Sequence, residues 1–491
     1  MTNSPSDSDR SFEATLLENE DKKPAYLAGR PHAPNFDLAV TDKFTRRTVA
    51  RVPRCTKADF DEAVRLATEA FEAKKEIPPY QRSEILAHIS RRITEERDRL
   101  AHLLCAEVGK PLRDAASEVS RAAETFRVAS EEALRIGGEV LELERHPRTA
   151  GYFGLWKRFP IGPVGAITPF NFPLNLVAHK VAPALAAGCP FVLKPASYTP
   201  LSALAIAEFL CETDLEPKYF SVLPASGETA ETMAYDPRLR VLTFTGSAEV
   251  GWQLLEKAKM KRVLLELGGN AGCIVDDTAD IAWACERIVF GGFYQAGQSC
   301  ISVQRVLVSR SIYEEFTEAL VARVRALEVG DPRRESTFVG PLISVADAIR
   351  VESWISDAIA AGARLLCGGK RDGAFVAPAV VADVPHDRPL YRKEVFGPVV
   401  TLESFDSFEE ALRVVNHSEY GLQAGVFTND LGRALLAFQT LDVGGVVIGD
   451  VPSFRADHMP YGGTKSSGLG REGVRFAIEE FTEPKMLVIK K

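Results

Sequence analysis

The sequence has no C-x-x-C pair. Its eight cysteines, at 55, 105, 189, 211, 273, 285, 300 and 367, have no clustered histidine partners. The spacing that a zinc site needs is therefore missing, and no metal is expected. Eight scattered cysteines in 491 residues are ordinary usage and do not make a disulfide framework. Reduced thiols in a cytoplasmic protein are the expectation. Basic excess is also missing: 59 Lys and Arg against 67 Asp and Glu leave a net charge of −8. No chain-wide positive field exists to hold a nucleic acid or an anionic membrane. The first residues, MTNSPSDSDRSFEATLLENEDKK, carry neither a basic n-region nor an apolar h-region, so they do not read as a secretory signal. Long hydrophobic runs are lacking as well. The most apolar stretch, Val181 to Leu193, is interrupted by Pro183, Gly188 and Pro190 and is too short to span a bilayer.

What is present is a large globular chain. At about 150 residues per domain it divides into roughly three lobes. Its 46% hydrophobic, 26% charged and 9% aromatic residues can bury a sizeable core. Residues 1–23, rich in Ser, Asp and Glu, read as a flexible tail. From Thr56 to about Glu139 the apolar spacing is helical, with Ala63, Leu66, Ala67, Ala70 and Phe71 followed by Ile85, Ile89 and Ile93.

From Tyr152 short apolar runs alternate with helical segments, the pattern of βαβ units around a parallel sheet. IGPVGAIT (161–168), PFVLKP (190–195) and RVLTFTGS (240–247) each lead into a helix, which reads as a cofactor domain. VLLELGG (263–269) opens a second series that continues through AGCIVD and QRVLVS to about Gly449. The last run, TEPKMLVIKK (482–491), is a strand without a partner nearby in sequence, expected to pair elsewhere, across subunits included.

Several residues in these runs carry chemistry. Cys300, in FYQAGQSCIS, is a candidate nucleophile, since Gly297 allows a tight turn and a helix N-terminus or loop amides would favour the thiolate. The alternative is a small buried hydrophobe. Glu266 ends an apolar strand, where α/β proteins place their sites and where burial would raise its pKa toward that of a general base; the alternative is a surface carboxylate at a strand end. Asn171, in PFNFPLN, could donate to an oxyanion or satisfy its own turn. FTGS (244–247) sets Gly246 and Ser247 at a helix start, suited to a phosphate or to capping alone. Lys194 could reach a nucleotide or cap a sheet edge.

Together PFNFP (169–173), KP (194–195), FTGS (244–247), ELGG (266–269), GQSC (297–300), EVFGPV (394–399) and PYGGTKSSGLGREG (460–473) resemble the aldehyde dehydrogenase superfamily, over about Phe36 to Lys491. The resemblance implies an α/β protein with a Rossmann-like cofactor domain (24–142 and 163–265) and an α/β catalytic domain (266–456). A small β bridging element (143–162 and 457–491) would join subunits into a homodimer or homotetramer. It implies Cys300 as nucleophile, Glu266 as base and Asn171 with the Cys300 amide as oxyanion hole. Lys180 and Glu472 match a proton relay. Cofactor contacts carry over to Thr168, Phe170, Lys194, Ser197, Gly246, Ser247, Val250, Leu267, Gly268, Glu394 and Phe396.

Two positions depart from the commonest pattern. Ser197 stands where NAD-specific members carry an acid against a 2′-phosphate, so NAD and NADP are both admissible. Phe170 stands where many relatives have Trp. Substrate selection is expected from Arg455 and His458 in DVPSFRADHMPYGG (450–463), and from Arg305, five residues after the thiol. Arginine is suited to a carboxylate, phosphate or phosphonate, while a structural ion pair of Arg455 with Asp457 or a neighbour is the competing reading. PFNFPLN resembles members of the lactaldehyde, phosphonoacetaldehyde, succinate-semialdehyde and non-phosphorylating glyceraldehyde-3-phosphate types, and FRADHMPYGG most resembles the lactaldehyde and phosphonoacetaldehyde group, which points to a small polar or anionic aldehyde. A coenzyme A-acylating enzyme and a non-catalytic protein on the same fold are the alternatives. Glu266 speaks against the first, and the trio Cys300, Glu266 and Asn171 against the second.

Overall fold

A computed structural model describes residues 21–73 and 76–491. Among the described residues two large sheets form the α/β layers, and two three-stranded and two two-stranded sheets accompany them. In the first layer the parallel strands run Arg262–Glu266, Val241–Thr245, Val164–Ile167, Phe191–Lys194 and Phe220–Val222 across the sheet. The chain enters at Val164–Ile167, winds two strands outward on one side, then crosses to wind two on the other. This reversal leaves a crevice beyond the carboxyl ends of Val164–Ile167 and Val241–Thr245, the place where open α/β sheets bind ligands.

Both faces of this sheet are covered, which is why its strands read as continuous apolar runs. Val164, Ala166, Leu193 and Val241 point into one core with the helices Pro79–Glu95, Leu112–Ala133 and Asn175–Ala187. Their neighbours Ile167, Val192 and Leu242 point into another with the helix Lys57–Glu72. That helix starts at a capping box in which Thr56 and Asp59 satisfy each other's backbone N–H groups.

The second sheet is ordered Arg364–Cys367, Ala379–Ala382, Val399–Phe405, Val303–Ser309, Ala271–Val275, Gln423–Phe427, Gly445–Ile448, parallel except at its first edge. The run VLLELGG, expected to open this series, instead ends the parallel part of the first sheet and begins the connection to the second. Arg262–Glu266 closes the first sheet, and Ala271–Val275 enters the second after four connecting residues.

The C-terminal strand Thr482–Lys490 has its partner within the chain, pairing antiparallel with Tyr152–Pro160 along its whole length. Gly138–Leu141 completes this three-stranded sheet, just outside the expected 143–162. Most of 457–481 lies elsewhere: Gly468–Leu469 pairs with Arg262–Glu266, and the helix Val474–Glu480 packs against Asn175–Ala187. The tail expected over 1–23 ends earlier, because Asp21–Lys22 pairs with Thr48–Val52; residues 1–20 lie outside the described residues. Among the described residues no helix is long and apolar enough to cross a membrane.

Candidate active site

Asp280 caps the helix Ile281–Phe293 by accepting the Trp283 N–H, and the chain leaves this helix through an unusual turn. Gln295, Ala296 and Gly297 all have positive φ, at 52°, 55° and 69°. For two non-glycine residues this conformation costs about 1–3 kcal/mol each, so the surroundings must enforce it. They do so with side-chain amides. Gln295 Nε2 donates to the Asn171 carbonyl, and Gln298 Oε1 accepts the Ile343 N–H at 2.9 Å. A Cβ at Gly297 would overlap the Gly397 carbonyl.

The turn delivers Cys300 to a small apolar cluster of Ile301, Leu422, Met459 and Tyr461. Its Sγ lies 3.1 Å from Tyr461 Oη. Burial pushes the thiol up to about 12. No helix begins at Cys300, contrary to one expectation from the sequence; the chain proceeds into the strand Val303–Ser309.

Asn171 sits between the strand Val164–Ile167 and the helix Asn175–Ala187. Its Nδ2 donates to the Gln298 carbonyl at 3.1 Å, directly beside the cysteine turn. Its own carbonyl accepts from Lys110 Nζ at 2.8 Å. Lys110 pairs with Glu118, both fully buried, and Glu118 Oε1 accepts the N–H groups of Leu174 and Asn175 at 2.9 and 3.1 Å. One buried ion pair thus braces both ends of the Asn171 loop.

Glu266 ends its strand with both carboxylate oxygens buried and unpartnered. Burial, and then the neighbouring Glu472 carboxylate, raise its pKa well above the ordinary range. Glu472 itself is held low. Burial opposes its charge, but Lys180 Nζ at 3.0 Å and Arg455 Nη2 at 3.2 Å more than offset that. Lys180 also donates to Thr243 Oγ1 at 2.9 Å. The Arg455 guanidinium stacks 3.7 Å over the Tyr461 ring, and its buried Nε has no partner. Thiol, phenol, guanidinium, carboxylate and ammonium form one connected series, with the unpaired Glu266 beside it.

Three substrate expectations separate here. Arg455 lies in this series, its ion pair made with Glu472 rather than Asp457. Asp457 takes Arg121 at 2.8 and 3.0 Å, Asn175 at 3.1 Å and His179 at 2.8 Å. His458 is exposed. Arg305 is not a substrate contact in this fold: it is interior to the second layer and donates to the carbonyls of Asn270, Val414 and Val415. Five residues after Cys300 in sequence, it is already inside a strand and turned into the packing.

Around the crevice, Thr168 and Thr245 present buried hydroxyls without partners. Lys194 ends its strand buried, with no acidic partner among the described residues, and burial lowers its pKa to about 8. Ser247 caps the helix Ala248–Lys257, accepting the N–H of the exposed Val250 at 3.4 Å. The Gly246 N–H is held by the Glu266 carbonyl, and the Leu267 N–H by that of Ser467. Glu394 Oε1 accepts the Gly269 N–H at 3.0 Å, and burial pushes its carboxyl up to about 7. A Cβ on Gly268 would strike that carboxylate. Phe170 and Phe396 meet edge to face at 5.8 Å. Ser197 spends its hydroxyl on the Ala225 carbonyl at 2.8 Å. Orphaned hydroxyls, an uncompensated ammonium and a capped helix start suit a dinucleotide.

A buried thiol and a crevice suited to a dinucleotide are together the features of an oxidoreductase. The family model described as "Aldehyde dehydrogenase family" matches residues 32–487, and the chain belongs to that family. It is an NAD(P)-dependent aldehyde dehydrogenase. The 3-sulfolactaldehyde dehydrogenase of Priestia aryabhattai is 42% identical over 94% of this chain and 97% of its own length. The lactaldehyde dehydrogenase of Methanococcus vannielii is 38% identical over 92% and 97%. Among solved structures, aldehyde dehydrogenase 21 from Physcomitrella patens, in complex with the reaction product succinate, superposes with a TM-score of 0.94. It is 45% identical, over 96% of this chain and 99% of that one. Glyceraldehyde-3-phosphate dehydrogenase from Methanocaldococcus jannaschii, complexed with NADP, gives 0.90 at 38% identity, over 93% and 100%.

Tyr461, Lys110, Glu118 and Gln295 were not singled out from the sequence. Tyr461 stood inside a quoted motif, but nothing in a Pro-Tyr-Gly-Gly turn announces a hydroxyl on a distant sulfur. Lys110 and Glu118 lie in a helical region where charges ordinarily face water.

Proposed function

We propose that the chain oxidises a small aldehyde carrying an anionic group to its acid, with Cys300 as nucleophile, Glu266 as base and Asn171 as oxyanion donor. The Cys300 thiolate, its proton taken by Glu266, adds to the aldehyde carbon. The resulting oxyanion is held by the second Asn171 Nδ2–H and the Cys300 amide, donors fixed before charge develops. Thr168, Phe170, Lys194, Ser247, Glu394 and Phe396 would hold NAD or NADP, whose nicotinamide, when bound, accepts the hydride expelled as the adduct collapses to a thioester. Glu266, once its first proton has passed on by way of Glu472 and Lys180, takes a proton from water, hydroxide adds to the thioester carbon, and collapse releases the acid and the Cys300 thiolate. Glu472 and Lys180 lie behind Glu266 to pass that proton on. An unpaired carboxylate in this place favours water over coenzyme A as the acyl acceptor.

The observation that carries the anionic substrate is Arg455, a buried guanidinium with a free Nε beside the Cys300 cluster. The names of the sulfolactaldehyde and succinate-bound relatives agree with it. We further read 24–142 and 163–265 as the cofactor domain and 266–456 as the catalytic one. The sheet built on Thr482–Lys490 is read as the contact of a homodimer or homotetramer, and the enzyme, with all eight cysteines free, as cytoplasmic.

The test is a spectrophotometric panel of aldehydes with both cofactors, run on the parent, Arg455→Ala and Cys300→Ala. Arg455→Ala is expected to lose at least tenfold more kcat/KM on sulfonated or carboxylated aldehydes than on uncharged ones. Equal losses would make Arg455 structural. Retained turnover in Cys300→Ala would overturn the mechanism.

A further inference from the structure

Tyr461 is 3% exposed, and its Oη lies 3.1 Å from the Cys300 sulfur. Two backbone hydrogen bonds with Glu472, at 3.0 and 2.6 Å, pin its main chain. Ile301 and Leu422 pack around its ring, and the Arg455 guanidinium covers a face. The hydroxyl therefore has little freedom to leave the sulfur. The other groups facing the thiol are Glu266, Glu394, Arg455 and Tyr294. Both carboxylates oppose a negative sulfur. The Tyr294 hydroxyl is spent on Ser299 Oγ at 2.7 Å. Arg455 favours the thiolate, but its hydrogen bond goes to Glu472, so its charge acts on the sulfur across the phenol ring. A cation over a phenol makes its O–H a better donor.

We propose that Tyr461 is a catalytic residue whose phenolic O–H donates to the Cys300 thiolate and so stabilises the negative sulfur. The inference rests on Cys300 being the nucleophile. When the thiol proton passes to Glu266, Tyr461 keeps its own proton and turns it toward the sulfur. Once sulfur has bonded to the aldehyde carbon it carries no charge, and the hydrogen bond weakens. On thioester hydrolysis the carbon–sulfur bond breaks, its electron pair returns to sulfur, and the same O–H receives the leaving thiolate. Tyr461 thereby serves attack and expulsion alike.

The experiment follows iodoacetamide inactivation against pH for the full-length enzyme in a Cys211→Ser background, since Cys211 is exposed. Tyr461→Phe keeps the ring and removes the donor. Its alkylation midpoint is expected to rise by about one pH unit, making inactivation at neutral pH roughly tenfold slower. The rate of the first-turnover burst of reduced cofactor should fall while KM changes little. Site-specific 3-fluorotyrosine at 461, a stronger donor, should move the midpoint down. Cofactor fluorescence confirms that each variant is folded. A midpoint unmoved in both variants overturns the proposal, as does a fluorotyrosine shift in the same direction as Phe. Cys300→Ala separates the two readings: turnover surviving there sinks the nucleophile, whereas an inactive Cys300→Ala with unmoved Tyr461 variants sinks the phenol alone.

Discussion

Glu266 is an acid in an environment hostile to its charge, with burial and the Glu472 carboxylate both opposing ionisation. As the carboxylate form alone can take a proton from water, thioester hydrolysis should quicken as pH rises through its elevated pKa and slow as pH falls below it. Glu266→Gln should cut steady-state turnover by about 10²–10⁴. It should slow both the burst of reduced cofactor and the phase that follows it, and remove this limb of the pH profile. Stopped-flow absorbance reads both, and an unchanged steady-state rate would reject the base. At this scale the sequence was informative where a motif holds the residue at a strand end, as for Glu266, or at a turn, as for Cys300. It was silent on contacts made at long range. Tyr461 and Cys300 are 161 positions apart, and no local pattern encodes their meeting. Arg305 shows the converse: closeness in sequence to the thiol meant nothing once the strand had turned its side chain into the packing.

The element that positions Asn171 is a loop tied down by the helix Leu112–Ala133. Glu118 on that helix caps the start of Asn175–Ala187, while Lys110 just before it holds the Asn171 carbonyl. Removing one member of a fully buried pair strands the other's charge. Lys110→Met should therefore cost about 3–5 kcal/mol of stability, measurable by denaturant unfolding, and should lower kcat by loosening the oxyanion donor. A loss below about 1 kcal/mol would show that the pair is not coupled to the fold as drawn. The helices and strands were legible from periodicity because apolar spacing reports burial directly. The brace was not: lysine and glutamate in a helical stretch look like a solvated face, and only the packing of a second helix over them makes them interior. The place of VLLELGG in the first sheet was hidden for a similar reason, since periodicity marks a strand but not its neighbours.

At the scale of the molecule, the C-terminal strand offers a sheet edge with Met486, Leu487, Val488 and Ile489 each 41–52% exposed. A continuous apolar edge of this kind is a pairing surface. Leu487→Asp with Ile489→Asp, on one face of the strand, should reduce the mass found by light scattering to that of the monomer. Unchanged mass would place the subunit contact elsewhere. The sequence marked the strand as lacking a local partner, but could not tell a distant stretch of the same chain from another subunit.

The four residues Leu267–Asn270 that carry the chain from one sheet to the other put Glu266 on the first layer and Cys300 beside the second. The carboxylate and the thiol proposed to act on the same acyl group are thereby carried by different sheets. A shear between the layers could leave each one fully folded and still stall the cycle with the acyl group on sulfur. Ligands, pressure or engineered crosslinks acting at that seam would thus govern how long the intermediate lives, without touching any reacting atom.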